Sequence, residues 1–179
     1  MAIREILKIP DERLKRVSEA VEVFDNTLRA FIDELEETRL ASPGAIGIAA
    51  PQVGHFQRII IVDVSNMRKP VENHGHMILV NPEITHWDGF ELGREGCLSV
   101  PDYTGNVIRA EDIHLTAQDQ WGETHEYEMT CFEARAIQHE VDHLDGITFL
   151  DRLVSRRTDL FQRKVYQKKS KKTEKIKSK

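Results

Sequence analysis

The stretch AIQHEVDHLDG, residues 136–146, contains the pattern HEVDH, in which His139 and His143 stand four residues apart. On a helix, residues at this spacing project from one face, so both imidazoles can bind one metal ion. Glu140, next to the first histidine, can then transfer protons. A catalytic site of this kind usually has three protein ligands and one position left for water. The pattern therefore predicts a metal-binding helix whose third ligand lies elsewhere in the chain.

Two alternatives compete with a complete metal site. The two histidines can be ordinary hydrogen-bonded or surface groups, because a short pattern also matches by chance. The chain can also be a metallopeptidase, but the extended pattern H-E-x-x-H-x-x-G-x-x-H fails here, since Phe149 stands in the place of the third histidine. The downstream glutamate that other metallopeptidases use has one counterpart, Glu174, within a lysine-rich run. Both metallopeptidase interpretations therefore lack a ligand.

Composition places the chain among globular proteins. Its 179 residues are 40% hydrophobic and 31% charged, which is ordinary for a single soluble domain. No apolar run approaches the roughly 18 residues of a membrane span. The charged N-terminus does not fit a signal peptide, so a cytoplasmic location without membrane association is expected. A reducing compartment disfavours a disulfide between Cys97 and Cys131.

The secondary-structure patterns indicate an α+β protein, with short antiparallel sheets around the central metal-binding helix. An amphipathic helix is predicted over residues 26–40, where apolar residues recur at helical spacing and Asp25 or Asn26 can cap the first turn. The metal-binding helix of about 14 residues begins at Thr130 in a capping box with Glu133 and ends near Gly146. Strands are predicted at 58–64, 77–80 and 83–92, a hairpin around 120–123, and a C-terminal helix over the 150s and 160s.

A candidate third ligand stands upstream in Arg94-Glu95-Gly96-Cys97-Leu98-Ser99. Cys97 follows a glycine at the end of an extended segment, where its thiolate can reach a metal. One thiolate with two imidazoles is an accepted ligand set for zinc and for other divalent ions. An inert buried cysteine is the alternative.

Three motifs of this sequence together resemble those of the peptide deformylases. They are GIAAPQ (47–52), EGCLS (95–99) and HEVDH (139–143). The resemblance extends from LKIPDERL near the N-terminus to about Leu153. One departure is Ala45, where the family usually has glycine, and it bears on substrate preference rather than on activity. The resemblance implies a hydrolase that removes the formyl group from the N-terminal methionine of newly made proteins.

The resemblance also implies roles for individual residues. One Fe²⁺ or Zn²⁺ ion, replaceable by Ni²⁺ or Co²⁺, would be held by Cys97, His139 and His143, with water as the fourth ligand. Glu140 would move protons, while the Gln52 amide and the Leu98 N–H would stabilise the oxyanion. Candidates for the methionine pocket, each of which can equally be core, are Ile46, Gly47, Phe132 and Ala136. Candidates for residues that support the ligands are Glu95, Arg109 and Asp142.

The two ends of the chain differ in charge. Residues 1–150 contain 13 Lys and Arg against 27 Asp and Glu, whereas residues 151–179 contain 12 against 3. We expect a catalytic domain over 1–153 and a C-terminal helix with a lysine-rich tail over 154–179. The tail is either a solubilising end or a contact to the ribosome, where N-formylmethionyl nascent peptides emerge. A binding protein of the same fold without catalysis is the last alternative, and release of formate would distinguish it.

Overall fold

The computed structural model describes residues 2–164. Within that range, no helix is long and apolar enough to cross a membrane. The strands are β1 (Gly47–Ala49), β2 (Ile59–Val62), β3 (Met77–Asp88), β4 (Glu91–Cys97), β5 (Val100–Arg109), β6 (Asp112–Gln118), β7 (Thr124–Thr130) and β8 (Leu160–Gln162). The helices are α1 (Asn26–Leu40), α2 (Cys131–Leu144) and α3 (Arg156–Asp159), with 3-10 turns at Glu12–Lys15, Ala50–Val53 and Phe149–Arg152. The predicted α+β class is confirmed.

The strands form two antiparallel sheets. One has the order β1-β2-β3-β6-β7 and the other the order β4-β5-β8. The predicted hairpin is confirmed, because β6 and β7 pair from Asp112↔Thr130 to Gln118↔Thr124. Among residues 2–164, strands β1 and β4 each have one paired side, so each presents an unpaired edge. These two edges matter for the site described below.

The position of strand β2 between two buried clusters explains why its sequence is an unbroken apolar run. Ile60 and Val62 pack in the cluster that also contains residues of α2, whereas Ile59 and Ile61 pack in the cluster of α1. All four side chains are fully buried. A strand covered on both faces has no polar face to show, so period-two alternation is lost. The five-stranded sheet is therefore the layer between α1 and α2.

Helix α1 begins and ends where the sequence predicts. The Asp25 side chain accepts a hydrogen bond from the Leu28 N–H at 2.9 Å, which caps the first turn. The predicted apolar face is buried against the sheet, with Leu35 fully inaccessible. The confirmed amphipathic helix thus covers the face of the sheet opposite to the metal-binding helix.

Strand β3 joins segments that the sequence separates. The patterns predict one strand at 77–80 and another at 83–92. The structure instead bends one strand through a bulge, where Asn81 has a φ of 50° and the pairing with β6 shifts between Val80 and Glu83. The Asn81 side chain bonds both the N–H and the carbonyl of Val21, at 2.8 and 2.9 Å. These bonds hold the bulge in place.

Helix α2 has the predicted length but not the predicted cap. Thr130 is the N-cap residue, yet its side chain makes no capping hydrogen bond. Glu133 is buried and accepts bonds from the N–H and the ring Nδ1 of His74, at 2.7 and 2.6 Å. The capping box is therefore wrong, because a tertiary contact takes the glutamate. The predicted end is confirmed, since Gly146 adopts a φ of 72° just after the helix.

The predicted C-terminal helix is wrong for most of its length within the described range. Helix α3 has four residues, and the chain then continues as β8, which pairs with β5 from Tyr103↔Gln162 to Gly105↔Leu160. Leu160 packs in the cluster that contains Cys97 and Phe149. The predicted domain boundary after residue 153 stays a prediction, but the chain up to β8 packs on the predicted catalytic domain. The lysine-rich tail from residue 165 onward lies outside the described residues.

Candidate active site

Two elements bring the predicted ligands together. Helix α2 carries His139 and His143 one turn apart, with ring centroids 5.2 Å from each other. Strand β4 ends at Cys97, where its pairing with β5 shifts register after Gly96. Ligand atoms of the three residues lie within 4.8 Å of one another, and Cys97 Sγ is 3.3 Å from His143 Nε2. All three are buried. This group can hold one metal ion.

The protonation of Cys97 favours metal binding. Burial alone would raise the pKa of this thiol, but the neighbouring His143 and His139 stabilise the thiolate, and the pKa lies well below its ordinary value. The thiolate is the form that ligates metals. The ligand set is therefore chemically suited to a divalent ion such as iron or zinc.

Glu95 fixes the orientation of the first histidine. Its Oε1 lies 2.7 Å from His139 Nδ1, which leaves Nε2 of that ring for a metal. Arg109 forms a two-pronged ion pair with the same carboxylate, at 3.0 Å for both contacts, and Arg135 Nη1 adds a bond of 2.8 Å. Against the effect of burial, the hydrogen bonds from His139 and Arg109 hold the Glu95 pKa well below its usual range. A carboxylate so fixed keeps the imidazole in one tautomer.

Asp142 extends this network to the other side of Arg109. Its Oδ2 accepts a bond of 2.6 Å from Arg109 Nη1, and Arg152 binds both of its oxygens at 2.7 and 3.0 Å. The sequence suggested Glu95, Arg109 and Asp142 as support for the Cys97 loop, and the structure places them in one connected network. Among the described residues none of the three makes a hydrogen bond to Cys97, and Glu95 reaches the ligand group through His139. Arg135 was not singled out from the sequence, because an arginine within a helix gives no signal of its buried partner.

Gln52 lies beside Cys97, and hydrogen bonds hold its side chain in place. Its Oε1 accepts a bond from the Ala49 N–H at 2.9 Å, and its Nε2 donates to Ser99 Oγ at 3.1 Å. The same Nε2 is 3.6 Å from Cys97 Sγ. The side-chain amide is thus held beside the ligand group, and Leu98 lines the same cavity. Ser99, which positions the amide, lies in the EGCLS motif, but the sequence did not indicate this role.

Glu140 is buried and lacks a polar partner for one oxygen. No group among the described residues makes a hydrogen bond to its Oε2. Burial is the main cause that raises the pKa of this carboxyl. A buried polar atom without a partner is unfavourable and needs an explanation. A water molecule on a metal held by the adjacent Cys97, His139 and His143 would supply the missing partner, so the residues present fit a metal site.

Gly47 makes room for this carboxylate. A Cβ atom at Gly47 would lie 2.6 Å from Glu140 Oε1 and 2.9 Å from its Cγ and Cδ atoms. Such contacts are too close for any side chain, so only glycine permits the observed position of Glu140. Gly47 thus belongs to the site through the space that it leaves free.

A cavity of about 240 Å³ opens beside the ligand group. Its wall includes all four residues predicted for the methionine pocket, namely Ile46, Gly47, Phe132 and Ala136. Phe149 is not part of this wall, because it is buried and stacks near His139 with ring centroids 6.4 Å apart. Phe149, which stands in the place of the third histidine of the metallopeptidase pattern, therefore packs against His139.

The other histidines have other contacts. His125 lies with Asp119 and Glu123 in a second group with metal-like spacing, but this group is exposed or half-buried. Asp119 there binds His125 and the turn N–H groups of Trp121 and Glu123, so the hairpin turn accounts for it. His74, as described above, pairs with Glu133.

The fold and the site define a class: an α+β metal-dependent hydrolase, with a Cys-His-His group beside a buried carboxylate. The pattern of the polypeptide deformylase family matches residues 3–159, and the chain belongs to that family. The members of this family are enzymes that remove the N-formyl group from newly made peptides.

Individual relatives agree with this assignment. The chain is 43% identical to a peptide deformylase of Thermodesulfovibrio yellowstonii, over 94% of this chain and 100% of that protein. It resembles the crystal structure of peptide deformylase from Thermotoga maritima, with a TM-score of 0.79 and 34% identity over 87% of this chain and 100% of that one. A Met-Ala-Ser-bound peptide deformylase from Acinetobacter baumannii has a TM-score of 0.79 and 38% identity, over 85% of this chain and 99% of that one.

Proposed function

We propose that this chain hydrolyses the formyl group from N-formylmethionyl peptides and releases formate. The observation that carries the proposal is the buried Oε2 of Glu140, which has no hydrogen-bond partner within residues 2–164 and lies beside Cys97, His139 and His143. This arrangement offers a proton acceptor at the place where a hydrolytic water is needed. The apolar pocket on the same cavity has the chemistry of a methionine site.

Cys97, His139 and His143 would hold one Fe²⁺ or Zn²⁺ ion, and Ni²⁺ or Co²⁺ would be functional substitutes. When bound, such an ion lowers the pKa of water and polarises the carbonyl that is attacked. Glu95 keeps His139 oriented toward the ion through the bond to Nδ1. Arg109 and Asp142 hold Glu95 in place through their ion pairs.

Glu140 and Gln52 would act on the substrate from the two sides of the cavity. The Glu140 carboxylate takes the proton of the attacking water and later delivers it to the departing amine. Its raised pKa suits this exchange, because a proton carrier works best when its pKa lies near the working pH. The Gln52 amide, held by Ala49 and Ser99, and the Leu98 N–H donate hydrogen bonds to the formyl oxygen as negative charge develops there.

The peptide would bind as an added strand. The unpaired edges of β1 and β4 both border the cavity, through Gly47 on one side and Glu95 to Cys97 on the other. An extended peptide can pair with such an edge through its main chain, while its side chains enter pockets. The methionine side chain would enter the pocket of Ile46, Gly47, Phe132 and Ala136. A similar peptide deformylase from Acinetobacter baumannii binds Met-Ala-Ser, which supports a methionyl peptide as the ligand.

The direct test is release of formate from formyl-Met-Ala-Ser by the metal-loaded protein. Glu140→Ala should keep the metal, because the ligand set is intact, but lose nearly all activity. An internal peptide without a formyl group is the matched substrate for the metallopeptidase alternative. Cleavage of that peptide, or a folded and metal-loaded protein that releases no formate, would reject the proposal. Near-normal activity of Glu140→Ala would reject the role of Glu140 alone.

The basic C-terminal tail would bring the enzyme to its substrates in the cytoplasm. Residues 165–179 carry seven lysines against one acidic residue, and the ribosome surface is rich in RNA phosphate. A chain that ends at Lys164 keeps β8 and every proposed site residue. It should retain activity on short peptides and lose co-sedimentation with ribosomes at low salt. Equal binding by both chains would leave the tail as a solubilising segment.

A further inference from the structure

A second groove continues from the active-site cavity. It has a volume of about 710 Å³ and runs along the N-terminal segment of the chain. The groove and the cavity share the wall residues Pro43, Cys97, Leu98 and Arg163. When the first residue of a peptide is bound in the cavity, its following residues therefore lie close to this groove.

Arg163 stands at the junction of the two spaces. Its backbone N–H donates to the Asp102 carbonyl at 2.8 Å, which fixes the chain just after β8. Its guanidinium extends across Gly96, where a Cβ atom would lie 2.7 Å from Arg163 Nη2. Gly96 precedes the ligand Cys97 on the unpaired edge of β4. The charged end of Arg163 thus lies over the face of β4 at Gly96, next to the edge that would receive the peptide.

The two arginines near the N-terminus that line the groove have carboxylate partners. Arg4 pairs with Glu34 and Arg13 pairs with Asp11, each at 2.7 Å. Their charges are compensated locally, so they add little to the potential that a peptide meets.

Arg163 and Lys8 differ from these two arginines. Among residues 2–164, neither has a carboxylate within 4.0 Å, and Glu5 is the remaining acidic residue of the groove wall. This local positive charge contrasts with residues 1–150 as a whole, where 27 acidic residues oppose 13 basic ones. An acidic protein that presents uncompensated cations beside its active site favours an anionic group there.

We propose that Arg163 is a specificity-determining residue that favours formyl-methionyl peptides with an acidic side chain at the second or third position. The inference rests on the proposed function. Methionine in the apolar pocket places the next residues along the β4 edge at Gly96. A carboxylate from one of them meets the guanidinium of Arg163, and Lys8 adds positive charge further along the groove.

The test compares kcat/KM for C-terminally amidated tripeptides on the full-length, metal-loaded enzyme. Amidation removes the terminal carboxylate, which would otherwise imitate an acidic side chain. The peptides are formyl-Met-Ala-Ser, formyl-Met-Asp-Ser, formyl-Met-Ala-Asp and the two lysine counterparts of the acidic ones. Arg163→Glu is compared with Arg157→Glu, which changes an exposed arginine outside both spaces by the same charge. Arg163→Lys keeps the charge.

We expect the wild type to prefer at least one acidic peptide over its lysine counterpart, mainly through KM. The energy of an exposed charge pair corresponds to a factor of about two to five in the ratio of kcat/KM between the acidic and the lysine peptide. This factor should shrink as salt rises. Arg163→Glu should reverse the preference, Arg163→Lys should keep most of it, and Arg157→Glu should leave it unchanged. If all peptides release formate and Arg163→Glu leaves the acidic-to-basic ratio unchanged, the inference is overturned while the proposed function stands. If no peptide releases formate, both are overturned.

Discussion

Replacing Gly47 with alanine should slow the reaction strongly, although it replaces neither a proposed metal ligand nor the proposed proton carrier. The new Cβ would lie 2.6 Å from Glu140 Oε1, whereas ordinary contacts begin at 3.4 Å. The carboxylate must therefore move by about 0.8 Å, or the strand β1 must give way. A displacement of about 1 Å in a reacting group can lower the rate by about 10²-fold, so we expect a fall in kcat of that order. Metal content should be unchanged.

The same contact predicts a loss of stability. Overpacking of a buried site destabilises by about 1–3 kcal/mol, and for a chain of this size each kcal/mol lowers Tm by roughly 2–4 °C. In a Glu140→Ala background the Cβ meets no carboxylate, so Gly47→Ala should cost little there. Thermal unfolding of the four proteins in this double-mutant cycle measures the coupling.

Gly75→Ala is the matched control. Gly75 also lies outside the helices, has a φ of 72° and has open space around its Cα, so alanine there meets strain but no clash. It should lower Tm and leave kcat intact. A Gly47→Ala enzyme with kcat within twofold of wild type would refute the reasoning. An equal loss of stability in both backgrounds would show that Glu140 is not the group that is displaced.

Three further predictions concern the metal and pH. Cys97→Ser should weaken metal binding, because a hydroxyl is a much poorer ligand than a thiolate, and metal titration of the variant against wild type measures the difference. If the native ion is Fe²⁺, activity should decay in air through oxidation of the ion or of the thiolate, and catalase or Ni²⁺ replacement should prevent this; activity that persists for days in air would indicate zinc. Burial is the main cause that lowers the pKa of His55 below its ordinary value of 6.5. As pH falls below about 6.5, the unfolded state then binds more protons than the folded state, so the folded state loses stability. The drop in Tm between pH 7.5 and 5.5 should therefore be smaller in His55→Gln than in wild type.

The sequence predicted the elements whose patterns are local. The spacing of His139 and His143 requires a helix for both to reach one ion, and the apolar face of α1 is visible as periodicity alone. The fold departs from the patterns where distant residues decide. Val21 stabilises the bulge that joins the two halves of β3, and His74 removes Glu133 from its cap. The sequence around Asn81 does not indicate the contact with Val21, and the sequence around Glu133 does not indicate the contact with His74.

The site shows the same division. Cys97 became a candidate through its place after a glycine at the end of an extended segment, and the resemblance to the family motif then implied its role and the support from Glu95. Arg135 and Ser99 act through contacts across 40 and 47 residues of sequence, with Glu95 and Gln52 respectively. Strand β8 was missed because its three residues gain their conformation by pairing with β5, and so short a segment carries no pattern of its own.

The separation of the proposed ligands along the chain would give a bound metal a mechanical role. Cys97 ends strand β4 of the smaller sheet, and His143 lies 46 residues later on the helix that packs against the larger one. An ion that binds both would cross-link the two sheets, as a disulfide would in a secreted protein, and both cysteines here are free. By the loop-closure entropy of a cross-link, a closed segment of this length contributes about 4 kcal/mol against unfolding. Withdrawal of the ion would remove this cross-link, so the lifetime of the folded enzyme in a cell would follow its metal supply.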